Sequence, residues 1–398
     1  MMQPELFHRA ECERKLLHVV TSTSPDFPSR LSNGAAGVAI MQGHLFQVSG
    51  DEGFRADAIE SLLSIMAASI ESTPLSMSLW AGLPGLLYSF EFLRRVDPHL
   101  LGQSSEQIGG FVDDMDAALT SYTDGVEVTS KYDLISGVVG IGLYALMRSD
   151  PECGRILYAS VEAALVRMSD TDAEGRFWKT APASVSATSR ERHRLEGRID
   201  LGVAHGVAGV VGLMALAMRL GVHTPSTRAI LQDTVAWIIR SARSNTVSTF
   251  PYFYGDPEHA RSRFAWCYGD LGVCAALANA AIALDRPGLL EFARKTIVDR
   301  VQQGKETMGL VDAWICHGYA GGYHLLASLN RVAPDAGLDA AIAMLHAGSM
   351  AAFADARLDA HNIGLLEGYS GLLLATSALP PVPAPATRPW DLCLATSL

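Results

Sequence analysis

The chain is a succession of apolar stretches, each opened by a Gly-x-x-Gly and each answered by a segment whose apolar positions recur at helical spacing. The glycine pairs are Gly34/Gly37, Gly82/Gly85, Gly137/Gly140, Gly206/Gly209, Gly269/Gly272, Gly318/Gly321 and Gly368/Gly371. Successive copies lie 48, 55, 69, 63, 49 and 50 residues apart, which accommodates two helices of ordinary length with their connections. Stretches such as Gly206 to Met218 and Gly272 to Leu284 are apolar all round and must be buried on every side. The answering segments are amphipathic. In "DAIESLLSIMAASI" the residues Ile59, Leu62, Leu63, Met66 and Ile70 follow helical spacing, and Thr224 followed by Pro225 predicts a capped helix start. The pattern predicts seven helical hairpins with apolar inner and half-exposed outer helices.

An open helical solenoid needs terminal repeats with a polar outer face. Here the first inner stretch, "GAAGVAI", and the last, "GYSGLLL", are as apolar as the central ones. The seventh repeat is therefore expected to pack on the first. That closes an all-α fold, an α/α toroid or double barrel, as a single domain over residues 1–398 with all seven glycine motifs at one end. Loops at one end of a rigid barrel are where chemistry collects.

Composition narrows the partners. Apolar residues make up 49% and charged residues 18% of the 398, so buried surface must be large. A net charge of -11 and the absence of a Lys/Arg run argue against nucleic acid, whose binding rests on phosphate neutralisation. A peptide or small molecule is expected instead. The N-terminal stretch is interrupted by Glu5, Arg9, Glu11, Glu13, Arg14 and Lys15, so it lacks a signal core and a cytoplasmic location is expected. Leu201 to Met218 is about long enough to span a bilayer, but it carries His205 and four glycines. It reads as a helix buried in protein, with no transmembrane segment expected. Six cysteines, Cys12, Cys153, Cys267, Cys274, Cys316 and Cys393, are scattered along the chain, a distribution that points to thiol or metal chemistry at one or two sites and not to a disulfide framework.

The repeats differ just ahead of the first glycine. The third carries "YDLISG" with Asp133, the fourth "LGVAHG" with His205, the fifth "RFAWCYG" with Arg263 close upstream of Cys267 and Tyr268, and the sixth "WICHG" with Cys316 and His317. Zinc prefers thiolate and imidazole, and a catalytic zinc has three protein ligands and one open position. Cys267, Cys316 and His317 make such a set if repeats five and six are neighbours, as ring order requires. Adjacent helical residues point about 100° apart, so Cys316 and His317 are expected in the turn ahead of the helix. Taken singly these residues also read as buried thiols and a capping side chain. Asp133 and His205 suit a carboxylate-oriented general acid or base, with a helix cap and a core histidine as the alternatives. Arg263 pairs with an anionic intermediate or faces solvent.

The motifs "YDLISG", "LGVAHGVAG", "AWCYGDLG", "WICHGYAG" and "EGYSG" resemble those of the lanthionine synthetase C-like family, the lanthipeptide cyclases, over essentially the whole chain. The length resembles the stand-alone class I cyclases, with no kinase-like glycine loop or dehydratase-sized extension. The resemblance implies an α/α toroid, zinc held by Cys267, Cys316 and His317, and active-site roles for Asp133, His205, Arg263 and Tyr268. It also implies the reaction. The thiolate of a peptide cysteine adds to a dehydroalanine or dehydrobutyrine of the same dehydrated precursor peptide, and a lanthionine or methyllanthionine thioether ring results. His205, oriented by Asp133, is the expected proton donor, with Arg263 or Tyr268 at the enolate oxygen. Whether a lanthipeptide dehydratase docks alongside stays open.

Two segments exceed a minimal repeat, Thr171 to Asp200 and the aromatic Ser244 to Trp266. Each reads as a surface loop or as a cradle for the precursor peptide, and neither has the strand alternation of the small β-rich insert found in some relatives. The rival readings are a glutathione-adding relative, an α/α-barrel prenyltransferase, and a non-catalytic zinc-containing scaffold of a modification complex. The adjacent Cys316 and His317 weigh against the second, whose zinc ligands are dispersed.

Overall fold

All seven glycine motifs open a helix in the structure, a computed structural model that describes residues 30–71, 76–99, 105–180, 198–244, 246–255, 261–310, 312–355, 362–377 and 389–398. The inner helices are α1 (Ala35–Ser49), α3 (Leu83–Val96), α5 (Val138–Met147), α7 (Val207–Arg219), α9 (Asp270–Leu284), α11 (Tyr319–Val332) and α13 (Tyr369–Thr376). The outer helices among the described residues are α2 (Glu52–Glu71), α4 (Ser105–Asp124), α6 (Pro151–Met168), α8 (Thr227–Arg240), α10 (Pro287–Gln302) and α12 (Asp339–Asp355). Each inner helix packs on the next, and α13 returns to pack on α1. The ring is closed and the fold is an all-α toroid, as the apolar terminal repeats require.

The two helix sets begin by different means. Among the outer helices, Asp150 caps α6 by accepting from the amides of Glu152 and Cys153, with Pro151 as its first residue, and α10 opens on Pro287 without a side-chain cap. No inner helix has a side-chain cap. Instead, in repeats two, three, four and six the preceding loop folds back, and a carbonyl six residues ahead of the first glycine accepts from the amide just after it. Val138 bonds to Lys131 (3.3 Å), Val207 to Asp200 (2.9 Å) and Tyr319 to Asp312 (3.0 Å). The orphan donors of the helix end are thereby satisfied by main chain. The cost is close approach: a Cβ on Gly137 or Gly206 would collide with that same carbonyl. Gly269 departs further, with φ of 91°, a region that favours glycine.

The same turns are sewn into a ring. In six of the seven repeats the residue two places ahead of the first glycine donates its amide to the carbonyl of the equivalent residue one repeat on. Ile135 bonds to Ala204 (3.3 Å), Ala204 to Cys267 (3.2 Å), Cys267 to Cys316 (3.2 Å), Cys316 to Leu366 (3.1 Å), Leu366 to Ser32 (3.1 Å) and Ser32 to Trp80 (3.0 Å). The Leu366 to Ser32 bond joins repeat seven to repeat one.

The space inside the ring is filled by the C-terminal segment, which the repeat pattern did not reveal. From Trp390 to Leu398 no residue exceeds 2% exposure. Its partners come from around the ring. Tyr88 of α3 bonds to the Trp390 carbonyl (3.2 Å), Trp266 to the Leu394 carbonyl (2.8 Å), Arg219 of α7 to the Ser397 carbonyl (2.9 Å) and His324 of α11 to Asp391 (2.9 Å).

Several expectations are corrected. The Thr224 cap and Pro225 start lie in a turn, and α8 begins at Thr227 behind Ser226, because the Glu162 carboxylate gathers the Thr224, Ser226 and Thr227 hydroxyls into that turn. Leu63 is 54% exposed while Leu62 is buried, and the side chains of Met66 and Ile70 lie outside the described ones. Ile282, within the all-apolar α9, is exposed. The outer helix expected after α13 falls on residues 378–388, outside the described residues. Among the described residues no helix is long and apolar enough to cross a membrane. Strands there amount to one hairpin, β1 (Asp170–Asp172) with β2 (Gly175–Phe177).

Candidate active site and metal centre

The hydrogen-bonded ring of turns decides which side chains meet. Cys267 and Cys316 occupy the same ring position in adjacent repeats, and His317 follows Cys316. Their ligand atoms, two Sγ and one imidazole nitrogen, lie within 4.8 Å of one another. Cys267 is buried, and Cys316 and His317 are partly so. Both Cys316 and His317 sit in the turn ahead of α11. Asp312 bonds His317 Nε2 at 2.8 Å and is itself fixed by the Trp314 amide at 2.9 Å, which leaves Nδ1 as the donor atom. A carboxylate behind a metal-binding imidazole sets its tautomer and orientation.

Electrostatics in the cluster follow from three protic groups in contact. The Cys316 thiol and the His317 imidazole, both hydrogen-bonded to Cys267, outweigh burial and draw the Cys267 thiol down to about 5. The Cys316 thiol is pushed up by that thiolate and by burial. Asp312 first, and Cys267 after it, lift His317 to about 10. The cluster is thus a thiolate, a thiol and an imidazolium, in which a divalent cation would replace two protons. Two sulfurs and one nitrogen are a donor set that fits zinc.

His205 stands beside it. Its Nδ1 lies 3.3 Å from Asp133 Oδ1, and the same oxygen accepts from the Ser136 amide at 2.8 Å. Asp133 is therefore both the turn cap and the imidazole's partner. Burial opposes the His205 imidazolium, but the Asp133 hydrogen bond and charge, with Asp200 and Cys267, outweigh it and raise the pKa. The His205 side chain is 42% exposed, so the ring is reachable. Ala204, just before it, donates to the Cys267 carbonyl, tying the acid–base turn to the thiolate turn.

Tyr268 places its ring 6.4 Å from that of His205 and 5.5 Å from that of Tyr252. Its hydroxyl donates to Asp200 Oδ1 at 3.1 Å. Burial and the Asp200 charge hold the phenol pKa well above its ordinary value. Arg263 is partly buried, and its charge acts on Cys267, Asp312 and Tyr252.

Reading only the residues immediately ahead of each glycine missed Asp200 and Asp312. Both stand six residues before the first glycine of their repeats, the place Arg263 holds in repeat five. Extending the alignment of repeats by that much would have exposed them. Glu367, directly before Gly368, was also passed over; its Oε1 is 3.9 Å from His317 Nδ1.

The two long segments behave differently. Thr171 to Asp200 begins as the hairpin packed on α8 and is pinched by the Thr180 amide donating to Arg198 (2.8 Å), while residues 181–197, with most of its basic half, are outside the described residues. The aromatic segment runs along the site. Tyr252 accepts from Leu201 (3.0 Å), Tyr254 donates to Ile199 (2.8 Å), and the exposed Tyr254 ring lies tilted against Trp237 at 5.2 Å. A second grouping, Asp113, Asp116 and Cys153, already holds a cation: Arg148 pairs with Asp113 at 2.7 Å, Asp116 at 2.6 Å and Glu91 at 2.9 Å. Among the described residues all five cysteines are free, with Cys274 and Cys393 fully buried.

Comparison with known proteins agrees with this architecture. The sequence is 23% identical over 362 residues, 87% of this chain and 84% of the other, to nisin biosynthesis protein NisC of Lactococcus lactis subsp. lactis. The solved structure of a nisin cyclase superposes with a TM-score of 0.80 over 98% of this chain and 97% of that chain at 21% identity, a likeness of fold. The family profile of the lanthionine synthetase C-like proteins matches residues 25–380, a span that holds all seven glycine motifs, and the chain therefore belongs to the lanthionine synthetase C-like family.

Proposed function

We propose that this protein is a zinc-dependent lanthipeptide cyclase, acting in the cytoplasm on a dehydrated precursor peptide, alone or beside a dehydratase. The observation that carries the reading is the convergence of Cys267, Cys316 and His317 on one rim with the His205 and Asp133 pair. A structural metal site would have no need of an exposed, carboxylate-oriented imidazole beside it.

Cys267, Cys316 and His317 would hold the ion, with Asp312 fixing the His317 ring. When bound, zinc supplies a positive charge that keeps a coordinated peptide thiol as thiolate at neutral pH. The rest falls to the chain's own residues. As the substrate sulfur bonds to the β-carbon of a dehydro residue, the alkene electrons move onto the carbonyl oxygen as an enolate. His205, kept protonated by Asp133, delivers a proton to the α-carbon. The substrate thiol's own proton returns to His205, so one S–H bond and the π bond of one C=C are exchanged for one C–S and one C–H bond with no other reactant. Arg263 stabilises the enolate oxygen. Tyr268 belongs to the same wall, and its hydroxyl is engaged by Asp200. The aromatic segment, Tyr252 and Tyr254 foremost, offers faces on which a peptide chain lies.

Ring closure adds no mass, so the test counts thiols. Incubating the zinc-loaded protein with a dehydrated cysteine-containing peptide and then alkylating should lower the number of alkylated cysteines. An unchanged count would contradict the reading.

A further inference from the structure

Asp200 has no role in the reaction as derived, yet it is 1% exposed and uses both carboxylate oxygens. Oδ1 accepts from the Tyr268 hydroxyl at 3.1 Å, and Oδ2 accepts from Thr180 Oγ1 at 2.6 Å and Arg198 Nε at 3.0 Å. A phenol has one proton to give. While it is given to Asp200 it is not available to a substrate oxygen, and withdrawing it would leave a buried carboxylate oxygen short of a donor, which is costly. The ring, meanwhile, is confined. It faces His205 and Tyr252, and Gly202 packs so closely on it that a Cβ there would lie 2.6 Å from Tyr268 Cδ1.

Asp200 also stands at the same place in its repeat as Asp312, which holds His317. One carboxylate in this tier fixes an imidazole within its own repeat, and the other reaches into the next repeat and fixes a phenol. We propose that Asp200 is a positioning residue for ring closure, holding Tyr268 by its hydroxyl so that the ring forms a rigid wall behind His205, and that Tyr268 donates no proton to the substrate. The proposal rests on the cyclase reading for its kinetic consequence, but its structural half does not.

The test is a double-mutant cycle on kcat and KM with Asp200→Ala, Asp200→Asn, Tyr268→Ala, Tyr268→Phe and the double alanine variant, each checked for zinc content and helical content. Every variant keeps the Asp200 main-chain carbonyl that caps α7. Asp200→Ala should lose about tenfold in kcat with KM little changed, the signature of lost positioning, and Tyr268→Phe, which keeps the ring but lacks the hydroxyl that Asp200 holds, should lose about as much and clearly less than Tyr268→Ala. Asp200→Asn, which keeps an oxygen acceptor for the phenol, should recover part of that loss. The double alanine variant should be no slower than Tyr268→Ala alone, because a residue that acts through another adds nothing once that other is gone. Tyr268→Phe falling as far as Tyr268→Ala, or additive losses in the double variant, would overturn the proposal. A wild-type protein that closes no rings would instead defeat the cyclase reading. The positioning claim is then decided by a crystal structure of Asp200→Ala, which should show the Tyr268 ring displaced from His205; an unmoved ring would overturn it.

Discussion

The amide of Cys267 donates to the carbonyl of Cys316 at 3.2 Å, so one backbone hydrogen bond between repeats five and six sets the two thiols side by side. Neither cysteine needs to be placed by its own packing, because the ring of turns does it. Cys316→Ala should therefore abolish stoichiometric zinc and leave helical content intact, measured by metal analysis and circular dichroism. Retained zinc would remove Cys316 from the ligand set. Because Cys316 and His317 both hold protons in the metal-free cluster, binding near pH 7.5 should release about two protons, and affinity should fall as pH is lowered.

The His205 and Asp133 pair makes a prediction of definite sign. The raised pKa of His205 keeps the proton donor charged to higher pH than a free imidazole of about 6.5. The matching contribution to stability is full below the unfolded value and is lost as pH rises through the folded one. In Asp133→Asn the alkaline fall of kcat should begin at lower pH, with zinc retained. An alkaline limb that does not move would separate Asp133 from the proton transfer.

The Arg263 side chain acts on the cluster through its charge, and a substitution there leaves its main-chain contacts with Gly269 and Tyr252 in place. Arg263→Gln should lower kcat by about a hundredfold with KM and zinc content nearly unchanged, as expected for a group that meets charge only in the transition state. A rise in KM at constant kcat would assign it to peptide binding instead.

The interior segment should matter to stability. Trp390 is 1% exposed, and its ring lies 4.9 Å from that of His324. Trp390→Ala should cost about 3–5 kcal/mol, read from a shift in urea midpoint. A loss under about 1 kcal/mol would mean the segment merely fills space that the helices tolerate empty.

Much of this was legible from periodicity. The glycine pairs marked every inner helix start, because a helix end roofed by its own upstream carbonyl excludes a Cβ, and the apolar terminal repeats foretold ring closure. Equivalence of position brought Cys267, Cys316 and His317 together before any distance was known. What stayed hidden was non-repetitive. Nothing in "WDLCLATSL" announces that it runs through the centre, since a segment buried by surroundings from four different repeats carries no period of its own. Asp200 and Asp312 escaped for another reason: their place six residues ahead of the glycine acquires meaning only when the loop folds back over the helix end. Thr224 and Pro225 show the reverse failure, a strong local start signal overridden by the buried Glu162.

The central claim is that Cys267, Cys316 and His317 form a zinc centre with one position open to a substrate thiolate. X-ray absorption at the zinc edge of the loaded protein, with and without saturating dehydrated peptide, tests it most directly. The sulfur neighbours of zinc should number about two without peptide and about three with it, in keeping with a catalytic site that has three protein ligands. A sulfur count that stays at about two while rings close would contradict the account.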